Sequence, residues 1–544
     1  MFKRVFFSII ISLLFFSNEG YGQLFNDEVY KFSKVFGYID SYYVDSVNKQ
    51  KLIDDAIVEI LKELDPHSVY IDKKEVEKMN EPLQGNFEGI GIQFNIMDDT
   101  LMVVSPISGG PSEKVGILAG DRILRIDSTN VAGIKLTNEM VFDKLRGKKG
   151  TKVTVGISRR GEKELLDFEI IRDKIPIYSV DAAYIVNKKE KVGYIKINRF
   201  AATTMDEFRT AVKKLRSEGA KNLILDLTDN GGGYLNMAQD LADEFLATGK
   251  MIVYTEGIKS PRQEMIATSG GTFEEGKIVL MIDEGSASAS EIVSGAIQDW
   301  DRGVLVGRRS FGKGLVQRPL NLPDGSMLRL TTARYYTPTG RLIQKSYEKG
   351  NADYEKDLVN RYNNGELSNA DSIHFPESQK YFTLQSKRIV YGGGGIMPDI
   401  FVPIDTTGFS NYYRDLIRKG IVNRFVLKYI DENRTMLEKK YKGSKSEQSF
   451  ESYLKTFEID DAFLKSLTDF AENDKLPFVE KDFIASKENL KINLKALIAR
   501  DIWGSSESFQ IFNLLDPIYI QAVNVMLNNE MYQSKLQKLN PNSK

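Results

Sequence analysis

Between Lys191 and about Arg341 the chain alternates short apolar runs with amphipathic stretches, and this pattern constrains its fold more than any other feature. The apolar runs at 192–197, 223–227, 278–282 and 304–306 have the length and composition of buried strands. The stretches between them, at 205–217, 235–245 and 287–300, repeat apolar residues every three or four positions, as amphipathic helices do. The alternation predicts a sheet with crossover helices, and therefore an α/β core.

Charge and length exclude some classes of protein. The 544 residues are enough for three or four domains of about 100 to 200 residues each. The 74 Lys and Arg nearly balance the 75 Asp and Glu, for a net charge of -1. Nothing in this balance attracts nucleic acid or an anionic membrane, so a polypeptide or small-molecule partner is expected.

The chain has no cysteine and only two histidines, His67 and His374. Thiol catalysis, disulfides and cysteine zinc sites are therefore excluded, and no histidine-rich metal motif is present. We expect no metal and no cofactor. A Ser-His-Asp triad would have to use one of the two histidines, but His67 follows Pro66 in a helix-breaking turn, where a structural role is expected.

The N-terminus has the order of a secretory signal. Lys3 and Arg4 precede the apolar stretch Val5 to Phe16, and Gly20-Tyr21-Gly22 offers small residues for cleavage after Gly22. The alternative is a membrane anchor, but this stretch of 12 residues falls short of the roughly 20 that span a bilayer. The mature protein is therefore expected in the periplasm or another extracytoplasmic space, without a transmembrane anchor.

Residues 85–173 differ from the helical pattern that precedes them. Short strands alternate with glycine-rich turns and two short helices, near 111–115 and 138–145. This order resembles a PDZ domain, which binds a peptide C-terminus as an added strand. The run Gly89-Ile90-Gly91-Ile92 takes the place of the loop that binds the carboxylate in that family; the alternative is a plain strand start.

A serine-rich turn joins the apolar run 278–282 to the next helix. Within it, Ser288 is placed to expose its hydroxyl on the first helical turn, where free N–H groups and the helix dipole favour a developing oxyanion. The turn is also compatible with an ordinary helix cap. A glycine-flanked lysine farther along the chain favours the interpretation of Ser288 as a nucleophile.

Lys313 lies between two glycines 25 residues after Ser288, and Gln317 follows on the same face of an apparent strand. A lysine becomes a general base only when its pKa falls toward 7 or 8, which desolvation can achieve. Gln317 could orient its amine without adding charge. Glu291, one helical turn after Ser288, could face the same cleft; pairing directly with Lys313 would oppose base function, so we assign it a supporting role.

A glycine-rich loop, Asp226 to Gly233, follows another buried strand. One of its backbone N–H groups, together with that of Ala289, could form an oxyanion hole. A phosphate-binding loop is the competing interpretation, but neither common nucleotide-binding glycine motif is present.

Together, five segments resemble the C-terminal processing peptidases, also called tail-specific proteases. The resemblance extends from about Leu64 to Pro403 and rests on these runs: 89–92, 226–233, 285–291, 310–317 and 392–399. It implies that Ser288 is the nucleophile, Lys313 the base and Gln317 its orienting partner. The implied oxyanion-hole amides belong to Ala289 and Gly232, with Gly233 as a near alternative, and the implied core is crotonase-like.

The chain departs from this family at one position, since Asp226-Leu227-Thr228 stands where the family usually has D-L-R. The loss could alter the support of the glycine loop or its coupling to the PDZ domain. The polar stretch 351–386 is expected to be a surface excursion. The helical, highly charged region beyond about residue 407 suggests a lid, a dimer element or a tether.

The sequence thus predicts a multidomain α/β protein. We expect a signal peptide at 1–22, a helical domain at 23–84, an inserted PDZ domain at 85–173, a crotonase-like peptidase core at 174–405 and a helical extension at 406–544. Its substrates would be proteins or peptides with a free C-terminus; a homodimer or an adaptor protein stays open. The alternative functions are a non-catalytic PDZ scaffold and an acyl-transfer or hydratase enzyme.

Overall fold

The computed structural model describes residues 27–445 and 447–537, so the predicted signal segment lies outside the described residues. The chain forms two compact units, residues 1–70 and residues 71–544. Within the described residues, no helix combines the length and the apolar composition required to cross a membrane.

In the first unit two helices are described, α1 at Asp27–Tyr42 and α2 at Lys49–Lys62. The turn that follows α2 is built around Asp65, which accepts hydrogen bonds from the backbone N–H groups of His67 and Ser68 at 2.8 and 2.9 Å. A short strand, β1, begins after this turn at Val69 and ends at Ile71. The helix-breaking turn predicted around Pro66 is confirmed.

The second unit begins with helix α3, Lys73–Gln84, and continues into a β-rich module. Strands β3, β4, β5, β7 and β8 form its antiparallel sheet in that order, with β6 beside β5, while β2 pairs with β9. Two helices, α4 and α5, complete the order expected of a PDZ domain. The bounds are β2 Asn86–Gly89, β3 Ile92–Met97, β4 Thr100–Pro106, α4 Pro111–Lys114, β5 Arg122–Ile126, β6 Thr129–Asn130, α5 Asn138–Leu145, β7 Lys152–Ser158, β8 Leu166–Ile171 and β9 Asp173–Pro176.

The core contains a six-stranded sheet with the order β10–β11–β12–β15–β16–β21. Strand β10 is antiparallel to β11, and the other neighbours are parallel. Helices α6, α7 and α8 pack their apolar faces on one side of it. The bounds are β10 Val180–Asn187, β11 Val192–Ile197, α6 Thr204–Ser217, β12 Asn222–Asp226, α7 Leu235–Asp243, β15 Ile278–Ile282, α8 Ala289–Asp299, β16 Val304–Gly307 and β21 Ile400–Phe401.

A second group of antiparallel strands carries part of the candidate site. Strand β18 pairs with β13 and with β17, and β13 also pairs with β14. The bounds are β13 Met251–Gly257, β14 Ser260–Ile266, β17 Leu315–Asn321 and β18 Met327–Tyr336. A separate small hairpin joins β19, Lys380–Phe382, to β20, Ile389–Tyr391.

The first part of the predicted surface excursion is helical, and most of its residues are exposed. Residues 351–363 form helices α9, Asn351–Glu355, and α10, Asp357–Asn363. Tyr354 and Arg361 of these helices are buried. Arg361 is buried with its charge compensated by an ion pair and hydrogen bonds rather than by apolar contacts.

The C-terminal region packs against the rest of the second unit. Ile518, Ala522 and Val525 cover the face of the six-stranded sheet opposite helices α6 to α8. Because both faces are covered, strand β15 is buried at every position. The eight helices are α11 Asn411–Arg418, α12 Ile421–Tyr441, α13 Phe450–Thr456, α14 Asp461–Asn473, α15 Glu480–Ile502, α16 Ser505–Phe512, α17 Pro517–Leu527 and α18 Asn529–Leu536.

The same region contacts the PDZ-like module. Arg122 forms an ion pair with Asp431 of α12 at 3.1 Å, and Arg160 donates to the backbone carbonyl of Asp431 at 2.8 Å. The C-terminal helices are therefore packed on both the core and the module, rather than extending away from them as a tether would.

Candidate active site

Ser288 immediately precedes helix α8 in a backbone conformation that non-glycine residues rarely adopt. Its φ is 56° and its ψ is -111°. Such backbone strain persists only where the surroundings enforce it, and it clusters at functional sites. The side chain is partly exposed, so its hydroxyl is accessible at the start of the helix.

The turn that holds Ser288 is fastened to the glycine-rich loop. The hydroxyl of Ser286 donates to the carbonyl of Leu227 at 2.7 Å, and that of Ser290 donates to the carbonyl of Asn230 at 2.8 Å. Asp283 accepts from the N–H of Asp229 at 2.8 Å, and burial raises the pKa of Asp283. The two loops therefore form one rigid structure.

Gly232 lies directly against the turn that holds Ser288. A Cβ atom at this position would be 2.8 Å from the Cβ of Ser288 and 3.0 Å from the backbone nitrogen of Ala289. Only glycine permits this approach without displacing backbone. The N–H of Gly232 donates to Oδ1 of the buried Asn230 at 2.9 Å, which fixes the curvature of the loop.

Lys313 lies in the segment that enters strand β17. Gly312 before it has a φ of 90°, and a Cβ there would be 3.0 Å from the nitrogen of Gly395. Ser310 anchors the start of the segment: its N–H donates to the carbonyl of Ile396, and its hydroxyl accepts from the N–H of Ile396 at 2.6 Å. The predicted tight feature at 392–399 therefore supports the lysine segment.

Glu291 joins the serine turn to the lysine segment. Its carboxylate accepts from the backbone N–H groups of Ser288, Gly312 and Lys313 at 2.8, 2.7 and 2.9 Å, and from the hydroxyl of Ser310 at 2.6 Å. It is fully buried, and burial raises its pKa while these four donors lower it. The side chain thus lies behind the cleft rather than facing it, because its partners are mostly backbone groups.

Tyr335 forms a second connection between the same two segments. Its hydroxyl lies 3.1 Å from the carbonyl oxygen of Ser288 and within hydrogen-bonding distance of the carbonyl oxygen of Lys313. The ring is buried, and burial raises the pKa of the phenol well above its ordinary value. A neutral hydroxyl therefore holds the backbone of both residues.

These segments surround a cavity of about 370 Å³. Its walls include Ser288, Lys313 and Gln317, together with Gly232, Gly233 and Ala289, so the structure brings together all the predicted catalytic and oxyanion-hole residues. Gln317 donates to the hydroxyl of Thr331 at 3.3 Å. The remaining walls are mostly apolar and come from residues on α3, α7, α8 and the β17–β18 hairpin: Met79, Leu83, Leu235, Ile292, Leu315, Pro319 and Met327.

The predicted peptide-binding loop lies in the PDZ-like module, at the junction of β2 and β3. The carbonyl of Ile90 accepts from the N–H and hydroxyl of Ser112, and Gly91 has a φ of 74°. Phe94 of β3 contacts Phe142 of α5 with ring centroids 5.6 Å apart. Strand β3 and helix α5 are therefore in contact through aromatic side chains.

Lys196 of strand β11 contacts the start of the glycine-rich loop. The Nζ atom of Lys196 donates to the carbonyl and hydroxyl oxygens of Thr228, both at 3.0 Å, and lies 3.2 Å from Asp226. The hydroxyl of Tyr194 donates to Asp226 at 2.5 Å. The glycine loop thus keeps a cation beside its buried carboxylate, but from the neighbouring strand.

Sequence reasoning missed two groups that support the lysine segment. Arg361 of α10 donates to the carbonyls of Arg309 and Ser310 at 2.7 and 3.2 Å. Glu366 pairs with both Arg309 and Arg361. Tyr335 was also missed, although the period-two pattern of β18 places it on the inward face. No local signal marks Arg361, which reaches the site from a polar stretch.

Comparison with protein families agrees with this geometry. Residues 191–354 match peptidase family S41, and residues 89–170 match the PDZ domain. Residues 17–75 match the N-terminal domain of the activating protease CtpB, and residues 412–504 match a family of unknown function.

Named proteins give the same assignment. A carboxy-terminal-processing protease of Bartonella bacilliformis is 40% identical over 319 residues, which cover 58% of this chain and 72% of that protein. A probable CtpA-like serine protease of Staphylococcus aureus strain MRSA252 is 38% identical over 58% of this chain and 62% of that protein. The solved photosystem II D1 C-terminal processing protease is 27% identical, covering 58% of this chain and 90% of its own, with a TM-score of 0.33. The chain is a serine-type protease and belongs to the carboxy-terminal-processing protease family.

Proposed function

We propose that this protein is an exported endopeptidase that hydrolyses peptide bonds with Ser288 and Lys313 and selects substrates by their free C-termini. One observation carries the catalytic part: Ser288 and Lys313 line the same 370 Å³ cavity, and Glu291 binds the backbone N–H of both. The arrangement supplies a nucleophile, an amine and backbone donors without using either histidine.

The first step is attack by Oγ of Ser288 on the carbonyl carbon of the scissile bond. The neutral amine of Lys313 accepts the proton that the hydroxyl loses. The carbonyl oxygen then carries a negative charge. This step requires Lys313 to be uncharged before substrate binds.

The oxyanion needs backbone donors close to Ser288, and we assign them to Ala289 and the glycine loop. The N–H of Gly232 already donates to Asn230, which makes Gly233 the stronger of the two glycine candidates. Phe200 exchanges hydrogen bonds with Gly232 and Tyr234. Gly233 lies between these two residues and is paired with Phe200 as in a parallel sheet, so its own N–H points away from Phe200.

Collapse of the intermediate breaks the carbon–nitrogen bond, and the lysine ammonium gives its proton to the departing amine. Lys313, neutral again, then accepts a proton from the water that hydrolyses the acyl-serine ester, and returns it to Oγ of Ser288 as the ester bond breaks. Gln317 lies in the same cavity and carries no charge. We assign it to orient the lysine side chain, with Thr331 holding its amide.

Tail recognition is assigned to the PDZ-like module. The loop Gly89-Ile90-Gly91-Ile92 would bind the terminal carboxylate, and the last residues of the tail would add as a strand beside β3. Export is proposed from the sequence of residues 3–22. The division at residues 22, 84, 173 and 405 remains our domain proposal.

The proposed pairing of Ser288 with Lys313 is tested by replacing Lys313 with arginine, which keeps the positive charge but stays protonated at usable pH. Lys313→Arg, Lys313→Ala and Ser288→Ala should all lose at least about 1,000-fold in kcat while binding tailed peptides normally. Substantial turnover by the arginine variant would show that Lys313 supplies charge and not a base. Binding without any turnover by the unaltered chain would instead favour a scaffold.

Tail recognition is tested by cleavage of one unfolded protein with an acid or an amidated C-terminus. Loss of a charge-assisted carboxylate contact should slow cleavage by about tenfold or more. Equal rates would remove the module from substrate selection.

Export is tested by N-terminal sequencing of secreted protein, which should begin at Gln23; a soluble cytoplasmic form that retains Met1 would contradict it.

A further inference from the structure

The cavity wall contains a cation that the proposed reaction does not use. Arg329 lies on β18 opposite Pro319 of β17, and its side chain lines the same cavity as Ser288 and Lys313. Tyr335 of the same strand also lines this cavity. It is partly buried.

Arg329 has no acidic partner within the described residues. The cavity lining includes Lys313 and Arg329 but no aspartate or glutamate. Burial alone lowers the pKa of Arg329, with no opposing carboxylate. By contrast, the buried Arg361 and the nearby Arg309 are both paired with Glu366.

A half-buried guanidinium without a counter-ion loses hydration and gains no protein contact in exchange. A substrate carboxylate would supply that contact, because a guanidinium presents two parallel N–H donors that match the two carboxylate oxygens. A neutral side chain at the same position would leave the cation unpaired. The arrangement therefore discriminates between substrates by charge.

We infer that Arg329 is a specificity residue that binds a carboxylate of the substrate in the cleft, either an Asp or Glu side chain or the α-carboxylate of a chain end. The inference rests on the proposed function, because it requires substrate to lie in this cavity. It adds a second selection site to the tail recognition assigned to the PDZ-like module.

The register of the hairpin indicates where this carboxylate would lie. Thr331 is opposite Gln317, and Arg329 lies two residues beyond Thr331, on the side away from Tyr335. The hydroxyl of Tyr335 contacts the backbone of Ser288. The six residue-to-residue steps from Arg329 to Tyr335 span about 20 Å of strand. An extended substrate along the hairpin would therefore reach Arg329 about four to six residues from the scissile bond.

The test uses the full mature chain and peptides that contain one cleavage site. A single Glu is moved through successive positions, each peptide is compared with its Gln counterpart, and every peptide is made with an acid and an amide end. For a side-chain carboxylate, kcat/KM should be about tenfold higher for Glu than for Gln at one or two positions. For an α-carboxylate, kcat/KM should be about tenfold higher for the acid end than for the amide end when the C-terminus lies about four to six residues from the scissile bond.

Arg329→Gln should reduce either preference to less than about twofold, and Arg329→Lys should keep part of it, since it keeps charge without the planar fork. Arg334→Gln is the matched control, because Arg334 is on the same strand but is exposed and does not line the cavity. The control should retain the full preference. A preference due to the PDZ-like module would survive Arg329→Gln.

Equal rates for Glu and Gln at every position, with no dependence on a nearby free end, would overturn the inference. So would a preference that persists in Arg329→Gln. Peptide binding by the Ser288→Ala chain is measured in parallel, so the same Glu-over-Gln comparison remains decisive if a variant is inactive. Failure of the unaltered chain to cleave any peptide would contradict the proposed function, whereas cleavage without charge preference would contradict this inference alone.

Discussion

Glu291 and Lys313 are joined through the backbone: Oε2 of Glu291 accepts the N–H of Lys313 at 2.9 Å. The same oxygen accepts the N–H of Ser288 at 2.8 Å. One buried carboxylate therefore sets the separation of two segments that are 25 positions apart in sequence. Because it binds main-chain groups, it can fix the position of the lysine without pairing with the lysine amine.

Replacing Glu291 with Gln should impair both folding and catalysis. The amide nitrogen cannot accept hydrogen bonds, so about two buried donors would lose their partner, at roughly 2 to 6 kcal/mol in the free energy of unfolding. Movement of either segment by about 1 Å should lower kcat by about 100-fold. Denaturant unfolding and steady-state kinetics measure the two effects.

Ser294→Ala is the matched control for Glu291→Gln. It removes a buried hydrogen bond to the carbonyl of Ser290 on the same helix, at 2.7 Å. Ser294→Ala should lower the free energy of unfolding by about 1 kcal/mol and leave kcat nearly unchanged. Equal loss of kcat in both variants would show that Glu291 contributes only helix stability.

Arg361→Met should misplace the lysine segment. The change removes the donors to the carbonyls of Arg309 and Ser310 and leaves Glu366 with one cation fewer. Breaking such a buried pair costs about 3 to 5 kcal/mol. We expect kcat to fall by about tenfold or more with KM changed less, and the pH profile of kcat to shift, since the surroundings of Lys313 change. An unaltered pH profile and kcat would assign Arg361 to stability alone.

Lys196→Ala should destabilise the glycine loop. The buried Asp226 would keep Tyr194 as a partner but lose its cation, at about 2 to 4 kcal/mol. Adding Thr228→Arg to this variant restores a cation at the family's usual position and should recover at least about half of the lost stability and activity. Thermal unfolding and kcat/KM of the single and double variants check this. A double variant no better than Lys196→Ala would show that Lys196 does not replace the missing arginine.

The stability of the chain should fall as pH rises from about 4 to 6 because of Asp516. Burial, and then the nearby Asp226, raise its pKa to about 6 from an ordinary value of 3.8. The folded state therefore binds the proton more tightly than the unfolded state does. Protonated Asp516 makes its full contribution to the free energy of unfolding below about pH 4, and this contribution is lost as pH rises through about 6. The difference corresponds to about 3 kcal/mol.

Asp516→Asn should remove that loss, because the neutral amide can still accept the N–H of Ile518 that Asp516 binds at 2.9 Å. Denaturant unfolding should show a gain of up to about 3 kcal/mol at pH 7.5 and little change at pH 4. Asp460→Asn, at the exposed cap of α14, is the control and should show no such pH dependence. Equal effects at both pH values would exclude Asp516 as the titrating group.

Local sequence was sufficient to predict the elements that present the chemistry. Strand β15 was predicted at 278–282 and found there, and the helix that carries the serine turn was predicted within two residues of its start. Strand period, helix period and glycine each act over a few neighbouring residues, so they can be read from sequence. The same local patterns predicted the order of elements in the PDZ-like module.

Composition by itself determined that catalysis would have to proceed without cysteine, and the spacing of Ser288 and Lys313 indicated which residues replace it. Only the tertiary structure decided what holds those residues in place: the backbone role of Glu291, the contact of Arg361 with Arg309, 52 positions away, and the contact of Lys196 with the glycine-rich loop. It also decided that the C-terminal helices cover the second face of the core sheet. These contacts join groups far apart in sequence, and their energies depend on burial and on partners that exist only after the strands have paired.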